Sequence, residues 1–242
     1  MLYIISMQIS KHYSLKFDKK KRSIKNITHI IIHYTGMQSE RESLKRLISS
    51  RFPVSCHYLI NRKGKIYQMV SEQNIAWHAG KSMWKKLKNL NKNSIGVELV
   101  NKGHKLGYQK FTKKQINSLI NLCKKLKKKY KIKNNNILGH SDIAPLRKID
   151  PGEKFPWSYL KTKGLVIYPK KTFVPDRFKK NGEKKRFANN LYKIGYRYLG
   201  KKNMNKVTKN FQRKYRQENI SGILDEETLK ISDFLAKKSN IS

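Results

Sequence analysis

Acidic side chains are scarce in this sequence. Fifteen Asp and Glu face 56 Lys and Arg among 242 residues, a formal net charge of +41 at pH 7. High net charge with a hydrophobic fraction of only 38% is a composition that disordered chains share. The run Ile30-Ile31-Ile32 and the 13 tyrosines argue against disorder for most of the chain. The basic residues are spread along the whole length rather than gathered with aromatics into one stacking surface, so no specific nucleic-acid partner is expected. Adhesion to polyanions at low salt would follow from charge alone and identifies nothing. With only Cys56 and Cys123, the chain can form neither a disulfide framework nor a zinc ribbon. No apolar run reaches the eighteen residues a membrane-spanning helix needs. Met1 to Ser10 lacks a basic n-region and an adequate apolar h-region, so no signal peptide is expected there.

Scarcity makes each acid informative. Between Glu72 and Asp142 stands a single one, Glu98, inside the apolar run Ser94-Ile95-Gly96-Val97-Glu98-Leu99-Val100. That run and Thr28 to Tyr34 read as short buried strands. His57 to Ile60 and Lys65 to Val70 flank a turn at Asn61-Arg62-Lys63-Gly64 and read as a hairpin. Ser39 with Glu42 resembles a capping box opening a short helix, and Thr112 with Gln115 a second one opening a longer helix. In that helix Ile116, Leu119, Ile120, Cys123 and Leu126 form an apolar stripe, with the Lys124 to Lys133 run as its solvated face and exit. Ile137 to His140 reads as another strand, followed by an irregular loop from Ser141 to Trp157.

The expected fold is α/β: a mixed central sheet flanked by helices, plus a small C-terminal three-helix domain. Residues 1–26 read as a polar lead-in, 27–160 as the main domain, 161–183 as a basic linker with Pro169 and Pro175, and 184–240 as the helical unit. Its helices fall at Phe187 to Leu199, Met204 to Tyr215 and Asp225 to Leu235, with Asp225 as the last N-cap.

His33 and His140 end strands, and Asp150 lies on the loop that follows. Two imidazoles and one carboxylate with an open fourth position is the ligand count of a catalytic zinc. Spacing alone leaves these open as structural residues. Six blocks add to it: Ile32-His33-Tyr34-Thr35, Ser55 to Ile60, Ala76-Trp77-His78-Ala79-Gly80, Asn93 to Leu99, Gly139 to Pro145 and Arg147 to Gly152. In this order they resemble the N-acetylmuramoyl-L-alanine amidase 2 family. Leu191 to Tyr196, Phe211 to Tyr215 and Gly222 to Leu229 are similar to a three-helix peptidoglycan-binding domain.

The resemblance implies one Zn2+ per chain on His33, His140 and Asp150. It implies Glu98 as the group that takes a proton from water and returns it to the leaving nitrogen, and Lys148 as the cation facing the developing oxyanion. Trp77, His78 and Arg147 are candidate substrate contacts, His57 a structural histidine, and Asp142 a loop-shaping acceptor. Where some members carry Tyr before the histidine of the hairpin block, this chain has Cys56, which leaves proton transfer to Glu98. The implied substrate is peptidoglycan or a muropeptide, cut between N-acetylmuramic acid and L-alanine by a monomer in the bacterial envelope or secreted, with the cytoplasm as the alternative. Some relatives of this fold only bind peptidoglycan, and the complete ligand set argues against that reading.

Overall fold

The computed structural model describes residues 9–11, 13–169 and 182–239. In chain order the elements are β1 (Ile9–Lys11), β2 (Phe17–Asp18), β3 (His29–Tyr34), α1 (Glu40–Ile48), β4 (Tyr58–Ile60), β5 (Ile66–Gln68), β6 (Ile75–Ala76), β7 (Met83–Trp84), β8 (Leu87–Lys88) and β9 (Ser94–Leu99). There follow α2 (Lys113–Tyr130), β10 (Ile137–Gly139), α3 (His140–Ile143), α4 (Trp157–Thr162), α5 (Glu183–Ile194), α6 (Met204–Tyr215) and α7 (Glu226–Ser239). Six strands form one sheet in the order β1-β5-β4-β9-β3-β10. β4 and β5 pair antiparallel, while β1 with β5, β4 with β9 and β3 with β9 pair parallel. The sheet is therefore mixed, as expected.

The chain divides into two compact units, Met1–Gly80 with Asn91–Ile132 and Lys81–Leu90 with Lys133–Ser242. In the first, β3 and β9 are almost continuously buried, as strands covered on both faces must be. α1 packs Leu44, Leu47 and Ile48 onto a cluster that includes Cys56, Leu59, Tyr67, Met69 and Val100. Its N-cap is Ser39, whose side chain accepts from the Glu42 amide, while the Glu42 carboxylate accepts from Gln38 N at 3.2 Å. Thr112 caps α2 through the Gln115 amide at 3.2 Å. The expected reciprocal half of that cap does not form. Gln115 turns inward instead, and its Nε2 donates to Ile60 O at 3.0 Å and Val100 O at 3.1 Å, satisfying carbonyls at the ends of β4 and β9.

The stretch read as a lead-in is partly built into this unit. β1 extends the sheet beside β5, and β2 pairs with β6; residues 1–8 and 12 lie outside the described residues. Arg22 is buried, and its guanidinium donates to Glu72 O at 2.8 Å, Asn91 O at 2.9 Å, Lys92 O at 3.2 Å and Ser94 O at 2.8 Å. No sequence periodicity marks a residue that acts by gathering carbonyls from distant segments.

In the second unit, His140 begins α3 rather than ending β10, because Gly139 closes the strand. α5, α6 and α7 supply the expected three helices, and Asp225 caps the last, accepting from Thr228 N at 2.9 Å. Phe187, Phe211, Tyr196 and Trp84 form its aromatic core. Most of the basic linker, residues 170–181 with Pro175, lies outside the described residues. Its beginning is packed, with Leu165 and Val166 buried.

An Arg22→Lys exchange keeps the charge but replaces a planar five-donor fork with a single ammonium. It is expected to destabilise the protein by about 2–3 kcal/mol, since buried carbonyls lose their donors. Urea unfolding of the two proteins measures this; equal midpoints would mean that Arg22 does not hold these segments.

Candidate active site

His33 and Glu98 occupy partnered positions on the adjacent parallel strands β3 and β9, so their side chains share one face of the sheet. Both are buried. His33 Nε2 lies 3.0 Å from His78 Nδ1, and His78 Nε2 lies 3.2 Å from Ser94 Oγ. A ring nitrogen engaged in this way fixes the orientation of the imidazole.

His78 reaches this position because Gly96 has no side chain. A Cβ there would sit 2.3 Å from the His78 ring, so the imidazole rests directly on the β9 backbone. The loop carrying it is held by Asn91, whose Oδ1 accepts from the amides of His78 at 3.1 Å and Ala79 at 2.7 Å. Trp77, half-buried beside it, donates from its amide to Ser55 Oγ at 2.8 Å and from Nε1 to Asp18 Oδ1 at 2.9 Å.

His57 lies behind this group. Its Nδ1 accepts from Gly96 N at 3.0 Å, which puts the proton on Nε2, 3.1 Å from Asn74 O. Burial, reinforced by the Arg22 guanidinium, pulls its pKa from 6.5 to about 3. It is a neutral structural ring. Cys56 is fully buried against the Glu98 main chain, and burial together with the Glu98 carboxylate pushes its thiol well above the ordinary range. A protonated thiol is a poor metal ligand.

In the second unit, His140 Nδ1 lies 3.1 Å from Asp150 Oδ2. The two residues are brought together by the hydrogen bond from Ser141 N to Asp150 O at 2.9 Å. Gly139 permits the approach, since a Cβ there would meet Pro151 Cδ at 2.7 Å. Arg147 donates to Lys81 O at 2.9 Å, and the same Nη2 lies 3.4 Å from His140 Nε2. Lys148 is half-buried on the same turn, its amide donating to Ala144 O at 3.0 Å. Asp142, expected to shape the loop, is fully buried and accepts from Gly139 N at 2.8 Å, Tyr196 Oη at 2.6 Å and Lys214 Nζ at 2.6 Å.

His33, His140 and Asp150 are all buried and each offers one ligand atom, the three atoms lying within 4.8 Å of one another. Two imidazoles and one carboxylate, with His33 oriented by a second histidine, suit a metal ion that keeps a coordination position open. The residues that sequence reasoning missed are Arg22, Asn91, Ser94 and Lys214. Each acts through contacts far away in the sequence, and only the unusual sparsity of acids gave a signal, at Asp142, that a basic partner would be needed.

The chain matches the N-acetylmuramoyl-L-alanine amidase family (Amidase_2) over residues 23–153, more than half its length, and belongs to that family. It is 41% identical over 152 residues to N-acetylmuramoyl-L-alanine amidase AmiD of Escherichia coli, a stretch covering 58% of this chain and 54% of that protein. It is 36% identical over 159 residues to 1,6-anhydro-N-acetylmuramyl-L-alanine amidase AmpD of Haemophilus influenzae, covering 58% of this chain and 84% of that one. The fold matches the structure of E. coli AmiD in complex with the substrate anhydro-N-acetylmuramic acid-L-Ala-D-gamma-Glu-L-Lys, with a TM-score of 0.78 at 32% identity and 91% of both chains covered. AmpDh3 from Pseudomonas aeruginosa matches with a TM-score of 0.77 at 28% identity, over 91% of this chain and 94% of that one.

The depressed pKa of His57 has a consequence for acid stability. The folded protein keeps this ring neutral down to about pH 3, whereas the unfolded chain protonates it near 6.5. Its contribution is complete above pH 6.5 and is lost progressively as pH falls towards 3, at about 1.4 kcal/mol per pH unit. A His57→Asn protein should therefore lose less stability than the parent between pH 6.5 and 5 in parallel urea titrations. Equal losses would mean that His57 is not the titrating group.

Proposed function

We propose that this protein is a zinc-dependent amidase that hydrolyses the bond between N-acetylmuramic acid, or its anhydro form, and L-alanine in peptidoglycan or muropeptides. The observation that carries the reading is the convergence of the His33, His140 and Asp150 ligand atoms in a member of the amidase family. The names of AmiD and AmpD, and the substrate in the AmiD complex, support the choice of bond.

His33, His140 and Asp150 would hold the ion. A zinc bound there supplies Lewis acidity to the carbonyl and lowers the pKa of a water towards about 7. Glu98, on the sheet face it shares with His33, accepts the proton of the attacking water and delivers it to the alanine nitrogen as the amide bond breaks. Lys148 turns a positive charge towards the oxygen on which negative charge develops. Trp77 and Arg147 are assigned to the substrate. His78 is assigned with them as a contact, and its bond to His33 gives it the further task of orienting that ligand.

The catalytic segment is assigned to residues 27–160. Residues 184–240 are assigned to holding the polymer, which raises the effective concentration of scissile bonds near the site. The envelope is the compartment such a substrate implies. Among the described residues no helix is long and apolar enough to cross a membrane.

Purified peptidoglycan incubated with the protein should release peptides with an N-terminal L-alanine, detected by mass. Release should stop on chelation and return with zinc. Glu98→Gln should lower turnover by about 10²–10⁴-fold while zinc still binds. Normal turnover in that variant would remove Glu98 from the mechanism. Binding of the polymer without release, zinc present, would bring forward the binding-only reading.

A further inference from the structure

α6 buries an unusual set of side chains. Thr208, Asn210, Gln212 and Lys214 are all buried, although none is apolar. Such burial is unfavourable unless every polar group finds a partner. The partners of Asn210 and Lys214 lie on the segment that carries His140, Lys148 and Asp150. Asn210 Nδ2 donates to Pro145 O at 2.8 Å and to Lys148 O at 3.2 Å. Lys214, one turn further on, places its ammonium 2.6 Å from Asp142 Oδ2 and 4.3 Å from the centre of the Trp157 ring. Arg213 pairs with Glu153 at 3.5 Å, and Gln217, just beyond the helix, donates to Phe155 O at 2.8 Å. Residues 210, 213, 214 and 217 follow helical spacing and so share a face. Together they grip the loop at its beginning, middle and end.

The two grips act on different parts of the loop. Lys214 and Tyr196 fix Asp142, whose other bond is to Gly139 N, so they set the entry of the loop next to His140. Asp150 has its own anchor, the bond from Ser141 N to its carbonyl. The Lys148 main chain is held by the turn bond from its amide to Ala144 O and by Asn210, which ties the carbonyls on both sides of that turn. Asn210 Oδ1 is engaged separately, accepting from Arg213 Nη1 at 2.8 Å.

We propose that Asn210 is a positioning residue for Lys148: its amide fixes the turn from Pro145 to Lys148, so the C-terminal helices take part in building the catalytic loop. The inference rests on the assignment of Lys148 to the developing oxyanion. It gives α6 a task separate from holding polymer, and a helical segment removed from this chain would take the geometry of the turn with it.

Asn210→Asp is the informative substitution, because it keeps an acceptor for Arg213 and deletes both donors. In the zinc-loaded full-length protein, kcat for peptide release should fall by about 10²-fold, the loss associated with a displacement of about 1 Å. KM should stay within about twofold, and zinc affinity within about threefold, because the ligand positions have other anchors. Asn210→Leu, which introduces no charge, should behave alike and guards against a folding defect peculiar to the carboxylate. In a Lys148→Ala background, either substitution should have no further effect on kcat, since the group being positioned is gone. Additive losses in the double variants would overturn the proposal and leave Asn210 with a purely structural role, as would unchanged kcat in both single variants. Amide hydrogen exchange separates this from the reaction assignment. Faster exchange confined to residues 146–148 in the Asn210 variants supports the brace even if the parent protein releases no peptide. Unchanged exchange there sinks it whatever the activity.

Discussion

A carboxylate with no access to water must be neutralised and fully hydrogen-bonded, and Asp142 meets that requirement with a lysine ammonium, a tyrosine hydroxyl and a main-chain amide. Breaking a buried ion pair by removing one partner typically costs about 3–5 kcal/mol, so this contact commits its surroundings to one arrangement. Burial pulls the pKa of Lys214 down while Asp142 opposes it, and pushes the Tyr196 hydroxyl well above its usual value. The three groups come from a strand end, a helix exit and a helix. Satisfying a single carboxylate thus draws the segment that begins at Gly139 and the C-terminal helices into one compact unit, and sets the entry of the loop next to His140.

The first unit solves a comparable problem with a cation. Arg22 gathers carbonyls from two distant stretches of chain, including the one that leads into β9. Behind β9, His57 accepts the Gly96 amide, and on Gly96 rests the ring of His78, which in turn meets His33. Each link is buried and is made by a partner distant in sequence. Arranged in this way, the His33 imidazole is held in one orientation by the protein itself.

Local signals were legible in the sequence and remote ones were not. Ser39, Thr112 and Asp225 cap helices where the residue pattern placed them, because capping involves neighbours within one turn. The 204–215 helix was readable to the residue for the same reason. The side chain of Gln115 was misread as a cap because the competing acceptors, Ile60 O and Val100 O, are contributed by other strands. His33, His140 and Asp150 could be grouped from motif resemblance, since nothing in their spacing brings residues over a hundred positions apart together. The burial of His78 depends on a glycine eighteen positions away, and the role of α6 on partners more than sixty positions away. Arg22 fell within a stretch that looks like basic surface.

The distribution of the minority charge has a colloidal consequence. Among the described residues, the acids Glu72, Glu98, Asp142 and Asp150 are buried. Glu72 spends its carboxylate on Tyr58, Tyr130 and Lys129 rather than on compensating the surface at large. Collapse of the chain therefore sorts its ions by sign, drawing anions inwards and leaving a shell that is even more one-sided than the composition. Copies of the folded molecule repel one another at low ionic strength, and added salt relieves both that repulsion and the internal pressure of like charges within each shell.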